Sequence, residues 1–284
     1  GGEAMRAWAP QRHGAGTFFV VNNTGKRSVV LDLKNPQDLA RLEGLIRDAD
    51  VVVENLKPGA LARMGLPFER MQALNASIIY CAVCGFGADS IYPGRPAYDT
   101  VIQAMAGVMD RTRADGVPVK TGMSLADVMG SNISVGAILS ALLHRNRTGK
   151  GQFLDVSMQD VAAWATQLTW NGLEPIYERT RVAQCSDGYV LVTRPDAHGV
   201  DGAPLLSLSR EEAQSKWPGN VWPIQTLNEA VASPLARHQV QEVADDRGRL
   251  WPVLINPIRL SHTPLINPAM GSDLGADNAR YFSE

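Results

Sequence analysis

In the first part of the chain, short continuous apolar runs alternate with helical repeats. Residues 29–33 form an apolar run that predicts a strand, and residues 51–53 form a second run of the kind that parallel sheets bury on both faces. Between them, Asn35 and Pro36 supply a helix start, and apolar residues then recur at helical spacing up to Asp50. This alternation predicts a parallel sheet with right-handed crossovers.

The same alternation continues to about residue 170. Further strands are predicted at 77–84 and 153–157, and further helices at 60–64, 68–74, 99–109, from about 125 to about 146, and 158–170. The expected fold class is α/β: an open, mainly parallel, Rossmann-like sheet with helices on both faces, plus a smaller α+β domain.

Two glycines, Gly85 and Gly87, follow the strand predicted at 77–84. Glycines at the carboxyl end of a strand are typical of a close approach by a ligand or by another backbone. Ligands of open α/β sheets bind beyond these strand ends. An ordinary turn is the alternative interpretation.

The pattern changes near residue 172, where proline, glycine and tryptophan become frequent and the predicted elements become short. These elements are a strand at 189–192, helices at 209–215 and 226–232, and an edge strand or extended segment over 253–260. We therefore predict a large α/β domain over residues 1–171, a small domain over residues 172–254, and a C-terminal segment over residues 255–284.

Composition narrows the classes of partner. Apolar residues make up 45% of the chain and charged residues 20%, and the net charge of −2 gives no case for nucleic acid or an anionic membrane as the main partner. No apolar run approaches the roughly 18 residues that a membrane-spanning helix needs, and the first residues do not resemble a signal peptide. Three cysteines cannot form a disulfide framework, which favours a reducing, cytoplasmic location.

Cys81 and Cys84 are separated by two residues, a spacing that also occurs in metal and redox sites. Both lie in the strand predicted at 77–84, where positions i and i+3 face opposite sides. We therefore predict two structural thiols and no metal site.

Asp127 is the strongest candidate for chemistry. It lies in a turn of small residues that opens the longest predicted helix. A carboxylate there meets free backbone N–H groups and the positive end of the helix dipole, which favours an ionised nucleophile. The alternative is a capping box with Ser124, in which Asp127 only stabilises the start of the helix.

Four blocks of this sequence together resemble the class III CoA-transferases, the group of formyl-CoA transferase, carnitine CoA-transferase and the bile-acid-inducible proteins. The blocks are residues 23–34; residues 49–59; residues 85–87 with 95–99; and residues 121–130 with 147–152 and 156–160. The resemblance is strong over residues 17–171 and thinner over residues 183–282.

The resemblance implies that Asp127 attacks an acyl-CoA thioester and forms an acyl-aspartyl anhydride, which an incoming carboxylate and the returning CoA thiolate resolve. It also implies contacts with coenzyme A. The adenosine and phosphate part is matched by Leu31, Lys34, Asn55, Leu56, Ala60 and Arg63, and the thioester region by Tyr98 and Met158. Gly85 and Gly87 would let the protein backbone approach the cofactor closely. Solvated surface charges at Lys34 and Arg63, and core packing at Tyr98 and Met158, are the alternatives.

Two familiar parts of such proteins have no match here, the usual N-terminal strand and the glycine-rich loop over the reacting aspartate. Residues 173–180 are short where that loop belongs, which indicates a fragment, a chain with gaps, or a degenerate relative. Members of this group are interlocked dimers whose tails return to the large domain. The resemblance therefore implies a homodimer in which residues 255–284 contact the first domain.

Two rival functions remain open. An α-methylacyl-CoA racemase needs a second proton-transfer group, typically a histidine, where this chain has Tyr98 before Asp99, and a phenol is a poor substitute near neutral pH. A CoA-binding module without turnover is the third interpretation. We favour a CoA-transferase that acts on an acyl-CoA and a small carboxylic acid.

Overall fold

The computed structural model describes residues 2–93, 95, 97–167, 180–193, 200, 204–237, 239–245, 247–264, 270 and 273–282. Their contacts divide the chain into two units, residues 31–175 and residues 1–30 together with 176–284. The first of these starts later than the large domain expected over residues 1–171. The reason is local: the backbone N–H groups of Ser28 and Val30 donate to the side chains of Asp277 and Asn278, at 2.8 and 2.7 Å.

The described helices and strands are numbered here in chain order. The α-helices are α1 (Thr17–Asn22), α2 (Pro36–Asp48), α3 (Ala60–Arg63), α4 (Phe68–Leu74), α5 (Asp99–Met105), α6 (Val108–Arg111), α7 (Leu125–Thr148), α8 (Met158–Ala165), α9 (Arg210–Lys216), α10 (Leu227–Ala232), α11 (Pro234–Arg237) and α12 (Asn278–Tyr281). The strands are β1 (Gln11–Arg12), β2 (Ala15–Gly16), β3 (Val51–Glu54), β4 (Ile79–Cys84), β5 (Arg113–Ala114), β6 (Val117–Pro118), β7 (Phe153–Ser157), β8 (Arg181–Cys185), β9 (Gly188–Val192), β10 (Val221–Pro223), β11 (Val240–Ala244) and β12 (Leu250–Leu254).

The unit of residues 31–175 is built on a parallel sheet with the strand order β3-β4-β7. Neighbouring residues of β4 face opposite sides of this sheet. Tyr80 packs in one apolar cluster with Ile46 of α2 and Met71 of α4, whereas Cys81 packs in another with Val161 of α8. Helices therefore cover both faces, as expected for parallel strands.

Most elements predicted in this unit are confirmed. The strands expected at 51–53, 77–84 and 153–157 are β3, β4 and β7, and the long helix is α7. The helix expected over 99–109 is instead two helices, α5 and α6, because Gly107 between them takes a φ of +82° that ends the first. Of the helix expected over 158–170, α8 covers 158–165, and residues 168–170 lie outside the described residues.

The predicted strand at 29–33 is wrong. These residues form no ladder; the backbone N–H and C=O of Val30 instead pair with the side-chain amide of Asn278, at 2.7 and 3.0 Å. Apolar character alone did not show that the partner would be a side chain from the other end of the sequence.

The second unit contains an antiparallel sheet of order β10-β9-β8, with Val190, Val192 and Val221 fully buried. A hairpin of β11 and β12 carries Trp251, which packs against Phe19 and Val20 of α1. Of the edge strand or extended segment predicted over 253–260, residues 253 and 254 belong to the strand Leu250–Leu254, and residues 255–260 lie outside it. The short helices expected at 209–215 and 226–232 are α9 and α10.

Helix α7 is strongly apolar although little of it is buried. Its most apolar 18-residue window has a mean hydropathy of 1.4, and 22% of that window is buried. By length and composition alone α7 is able to cross a membrane, so the expectation that no segment reaches this threshold needs correction. That expectation considered unbroken apolar runs, whereas α7 is interrupted by small and polar residues. Core helices of soluble proteins meet the same criterion, so the feature does not by itself indicate a membrane.

Candidate active site

The predicted site residues of the parallel unit gather where the strands end. Asn55 follows β3, Gly85 and Gly87 follow β4, and Met158 follows β7. The side-chain amide of Asn55 donates to the carbonyl oxygen of Val83 at 2.6 Å, and the N–H of Gln159 donates to that of Gly85 at 2.9 Å. These bonds tie the three strand ends together at the edge where open α/β sheets bind ligands.

Asp127 lies in the first turn of α7 and is exposed to solvent. Among the described residues, no donor is hydrogen-bonded to its carboxylate. The alternative of a capping box is wrong, because the side chain of Ser124 accepts no hydrogen bond from the helix. Within the described residues the Asp127 carboxylate therefore takes no part in a cap.

A different carboxylate occupies the start of α7. The N–H of Ala126 donates to Oδ1 of Asp99 at 2.8 Å, and Asp99 is buried at the first position of α5. An N-terminal N–H that finds such an acceptor needs no local cap. Asp99 thus performs, from a distant helix, the role that the sequence pattern assigned to Ser124 and Asp127.

The pKa of Asp127 is raised above its ordinary value of 3.8. The main cause is desolvation by the surrounding protein, which opposes the charged form even though the side chain remains in contact with solvent. The negative charge of Asp99 raises the pKa further, and the ammonium of Lys120 opposes both effects. The sequence analysis expected a carboxylate that the helix dipole keeps ionised. Desolvation and the charge of Asp99 instead make Asp127 harder to ionise than a free aspartate.

The protein itself accounts for two of the candidate positions, Gly85 by close packing and Gly87 by its left-handed backbone conformation. A Cβ placed on Gly85 would lie 1.9 Å from the Cβ of Ala97, so no other residue fits there. Gly87 has a φ of +83°. The contact at Gly85 is with protein, which explains that glycine without any cofactor, and it brings the segment before Tyr98 against the end of β4.

Met158 and Tyr98 have different surroundings. Met158 is buried, and its Cγ would lie 3.4 Å from a Cβ on Gly130, so α8 packs closely on α7 one turn after Asp127. The packing alternative for Met158 thus describes its contacts well. Tyr98 is 78% exposed, which excludes core packing and leaves its ring available at the start of α5.

The residues matched to the adenosine and phosphate part lie on loops and on α3. Leu56 is exposed, and its N–H donates to a carboxylate oxygen of Glu54 at 2.5 Å. Ala60 and Arg63 belong to α3, and Leu33, between Leu31 and Lys34, packs in the same cluster as Leu61 of that helix.

The cations in this set are available for an anion. The guanidinium of Arg63 donates to the carbonyl oxygen of Pro58 at 3.1 Å, and within the described residues neither Arg63 nor Lys34 forms a salt bridge. Unpaired cations of this kind suit phosphate oxygens.

Sequence reasoning missed several side chains that hold this region in place. Glu54 accepts from the hydroxyl of Tyr80 at 3.1 Å as well as from Leu56. Asp155 accepts from the N–H of Ala88 at 2.7 Å and so fixes the loop after β4. Asp99 stood inside a block that was singled out, but nothing in the sequence indicated its partner.

A cavity of about 190 Å³ lies in the second unit. Its lining includes Arg6, Phe19, Asp245, Arg249 and Trp251. Asp245 accepts from Trp251 Nε1 and from the backbone N–H and side chain of Arg249, so its acceptors are already engaged. None of the predicted site residues lines this cavity.

Comparison with known proteins defines the class to which this chain belongs. The model of the family described as CoA-transferase family III matches residues 1–193, and the chain belongs to that family. The resemblance stated from the sequence is thereby confirmed.

Individual relatives agree with this assignment. The chain is 40% identical over 169 residues to the succinate–glutarate CoA-transferase of Agrobacterium fabrum, covering 57% of this chain and 42% of that protein. It is 40% identical over 161 residues to the acetyl-CoA:oxalate CoA-transferase of Acetobacter aceti, covering 56% and 41%. The chain thus spans about two fifths of these relatives.

Among solved structures, a CaiB/BaiF family protein from Brucella suis superposes with a TM-score of 0.83 at 27% identity. The match covers 97% of this chain and 87% of that one. The fold described above is therefore shared over nearly the whole chain.

Proposed function

We propose that this protein is a CoA-transferase that moves coenzyme A from an acyl-CoA thioester to a carboxylic acid, with Asp127 as the nucleophile. The observation that carries the proposal is the free carboxylate of Asp127 at the start of a helix that Asp99 caps instead. Membership of the family supports the reaction class.

The exchange divides into three steps. The Asp127 carboxylate attacks the thioester carbonyl carbon, the C–S bond breaks, and CoA leaves as thiolate, giving an acyl-aspartyl anhydride. The acceptor carboxylate then attacks the aspartyl carbonyl carbon and releases the donor acid. Finally the CoA thiolate attacks the new acyl group, which yields the new thioester and regenerates the Asp127 carboxylate. Covalent catalysis replaces one difficult transfer by easier steps.

The residues proposed to hold coenzyme A lie before α2, on α3, at the start of α5 and after the ends of β3, β4 and β7. Lys34 and Arg63 would pair with its phosphates, and Asn55, Leu56, Ala60 and Leu31 would contact the adenosine part. Exposed Tyr98 and buried Met158 would flank the thioester, with Gly85 and Gly87 beside it. Asn55, Gly85, Gly87 and Met158 lie at the carboxyl ends of parallel strands, and this location supports the arrangement.

Trapping the anhydride tests the proposal directly. The protein is incubated with a panel of acyl-CoAs, hydroxylamine is added, and peptide mass spectrometry locates the product; a hydroxamate at Asp127 is expected. Glu69→Gln, which removes an exposed acid from the first turn of α4, serves as the matched control and keeps full labelling. Binding of CoA without any label or exchange would identify a binding module instead.

The donor and acceptor are proposed by analogy with the relatives. The names of similar proteins include succinate, glutarate and oxalate, so a small carboxylic acid is the proposed acceptor. A matrix of acyl-CoA donors and such acids, followed by measurement of new thioesters, identifies the pair. If no tested pair gives exchange above the level without acceptor, the transferase assignment fails.

Tyr98 distinguishes a transferase from a racemase. A racemase needs a second group that delivers a proton to the opposite face of the α-carbon, whereas a transferase uses Tyr98 only to position the thioester. We expect Tyr98→Phe to slow exchange modestly, and no solvent deuterium to enter the α-carbon of recovered acyl-CoA. Rapid α-deuteration without an acceptor would favour the racemase.

We also propose a homodimer in the cytoplasm. One face of α7 carries an exposed apolar stripe of Val128, Val135, Leu139 and Leu143, and β3 and β7 are the outer strands of their sheet. A second copy on this stripe would bury it and would shield an anhydride on neighbouring Asp127 from water. Sedimentation at micromolar concentration is expected to give a dimer; a stable monomer would contradict this part of the proposal.

A further inference from the structure

The start of α7 is held by side chains that lie far from it in the sequence. Asp99 accepts from the N–H of Ala126 at 2.8 Å through Oδ1, and it is only 5% exposed. Since Ser124 makes no cap, Asp99 provides the side-chain acceptor at this helix start. Asp127 is the next residue after Ala126, so the cap fixes the backbone from which the Asp127 carboxylate projects.

Gln103, one turn further along α5, holds both Asp99 and the segment before α7. Its side-chain N–H₂ donates to Oδ2 of Asp99 at 2.8 Å and to the carbonyl oxygen of Met123 at 3.1 Å. Its side-chain oxygen accepts from the N–H and hydroxyl of Thr121 at 3.0 and 3.2 Å. Gln103 is fully buried, and each of its polar atoms has a partner. A satisfied buried network of this kind gives one defined geometry.

Lys120 brings a positive charge to the same cluster. Its Nζ lies 3.7 Å from Oδ2 of Asp99 and donates to the carbonyl oxygens of Thr121 and Met123 at 3.2 and 3.4 Å. Among the described residues, Asp99 on α5 and Lys120 before α7 are the charged groups that act on the Asp127 carboxyl, and their effects on its pKa are opposite.

We infer that Asp99, Gln103 and Lys120 form a positioning cluster for Asp127: Asp99 replaces the local cap so that the Asp127 carboxyl stays unbonded, and Gln103 and Lys120 hold Asp99 at this helix start, at 2.8 and 3.7 Å from its Oδ2. The rate consequence of this inference rests on the proposed function. The structural part concerns only the carboxyl group and stands without turnover.

A merely structural cap and a positioning cluster make different predictions. Loss of a structural cap loosens the helix whichever partner is removed, so all variants would change in the same sense. In the positioning cluster the two charges act on Asp127 with opposite signs. Removal of Asp99 and removal of Lys120 must therefore move its titration in opposite directions.

The test is a ¹³C NMR titration of the Asp127 carboxyl carbon in the full chain, assigned by the loss of its signal in Asp127→Asn. Asp99→Asn retains an oxygen that accepts from Ala126, and it should lower the pKa of Asp127. Lys120→Met should raise it, and the double variant should return towards wild type. The matched controls Asp48→Asn and Lys150→Met change similar charges on α2 and after α7 and should leave the titration unchanged.

Kinetics provide a second readout. Asp99→Asn should lower kcat for exchange on the order of 10-fold to 100-fold. Its side-chain NH₂ cannot accept from Gln103 as Oδ2 of Asp99 does, and a small misplacement of a reacting group has effects of that size. The dissociation constant for CoA should not change, since the cluster does not include the residues proposed to bind it.

The outcomes separate this inference from the proposed function. Titrations that move in the same direction, or not at all, overturn the cluster. If Asp99→Asn does not fold, the Asp127 titration in Lys120→Met provides the test, because Lys120 is partly exposed and its substitution is tolerated more easily. A titration displaced to higher pH supports the inference, and an unchanged titration overturns it. Wild-type exchange by Asp127→Asn would instead overturn the proposed function, while opposite displacements of the titration would still establish the cluster.

Discussion

Four helices among the described residues begin with the same sequence pattern, a hydroxyl residue followed three positions later by an acid, and they use it differently. In α8, Ser157 accepts from the N–H of Asp160 at 3.2 Å, without the reciprocal bond. In α9, Ser209 accepts from the N–H of Glu212 and Glu212 accepts from that of Ser209, at 3.2 and 2.7 Å. In α10, Thr226 and Glu229 form the same box at 3.3 and 2.7 Å. In α7, Ser124 and Asp127 form no box.

The difference shows in the ionisation of the acids. Hydrogen bonds from Ser209 hold the pKa of Glu212 below its ordinary value. The Arg210 guanidinium and the N–H of Thr226 lower the pKa of Glu229 to about 2. Desolvation and Asp99 raise the pKa of Asp127 instead. An acid engaged in a capping box is stabilised and occupied, whereas an acid at a helix start capped from elsewhere is available for chemistry.

The largest expected effect comes from removing the free acid. Asp127→Asn should reduce CoA exchange on the order of 10⁴-fold or more, because an amide is a very weak nucleophile. Glu212→Gln, the matched change in a capping box, should leave exchange unchanged. Steady-state assays together with CoA binding by calorimetry provide the measurement, and binding should survive in both variants. Wild-type exchange by Asp127→Asn would mean that the comparison between free and engaged acids has no catalytic meaning.

A second prediction concerns the packing beside Asp99, the residue that caps α7 from α5. In Gly85→Ala the new methyl group would meet Ala97, two residues before Asp99, at 1.9 Å. Overpacking of this kind costs about 1–3 kcal/mol in the free energy of unfolding, and exchange should fall with it. Denaturant unfolding and exchange assays measure both. Gly136→Ala, on α7 with nothing within 4 Å, should be neutral or stabilising by up to about 1 kcal/mol; equal losses in the two variants would argue against the close contact.

A third prediction tests the caps themselves. Ser209→Ala removes an N-cap acceptor and should lower the free energy of unfolding by about 1 kcal/mol. Ser124→Ala removes a side chain that caps nothing and should change it by less than about 0.5 kcal/mol. Urea unfolding followed by circular dichroism compares the two variants with wild type. A loss in Ser124→Ala as large as that in Ser209→Ala would show that α7 depends on a local cap after all.

The smallest expected effects concern pH, and they differ in sign. Because the folded pKa of Asp127 lies above 3.8, the folded state holds more protons than the unfolded state just above that pH, and stability falls as pH rises through this window. Asp127→Asn should therefore raise the free energy of unfolding at neutral pH, and the gain should vanish below pH 3.8.

Glu229 should behave in the reverse sense. Its folded pKa of about 2 lies below 4.5, so it contributes stability that is present above pH 4.5 and lost as the pH falls towards 2. Glu229→Gln should lower the free energy of unfolding at neutral pH, and its difference from wild type should close in acid. Urea unfolding between pH 7 and pH 3 measures both variants, and pH dependences of the same sign would contradict the contrast.

Much of the parallel unit followed from local sequence. Apolar runs with helical repeats between them predict β3, β4, β7 and the helices around them, because periods of two and 3.6 residues report which face a chain buries. The same reasoning failed at residues 29–33, where the apolar run pairs with Asn278, and at residues 99–109, where Gly107 divides the helix. In both places the structure depends on something that the spacing of apolar residues does not report: a side chain far away in the sequence at 29–33, and a glycine with positive φ at 99–109.

By itself, the sequence determined that Asp127 opens the longest helix and that glycines follow the end of β4, and its blocks indicated the family. Only the tertiary structure decided which carboxylate caps α7. The pattern of Ser124 and Asp127 is the same as that of the boxes in α9 and α10, and a local rule cannot distinguish them. Asp99 lies 27 residues before Ala126, and it reaches that N–H only because α5 packs against the start of α7. A buried carboxylate far away in the sequence takes the place of the local hydroxyl, and the acid left unbonded is the one we propose as the nucleophile.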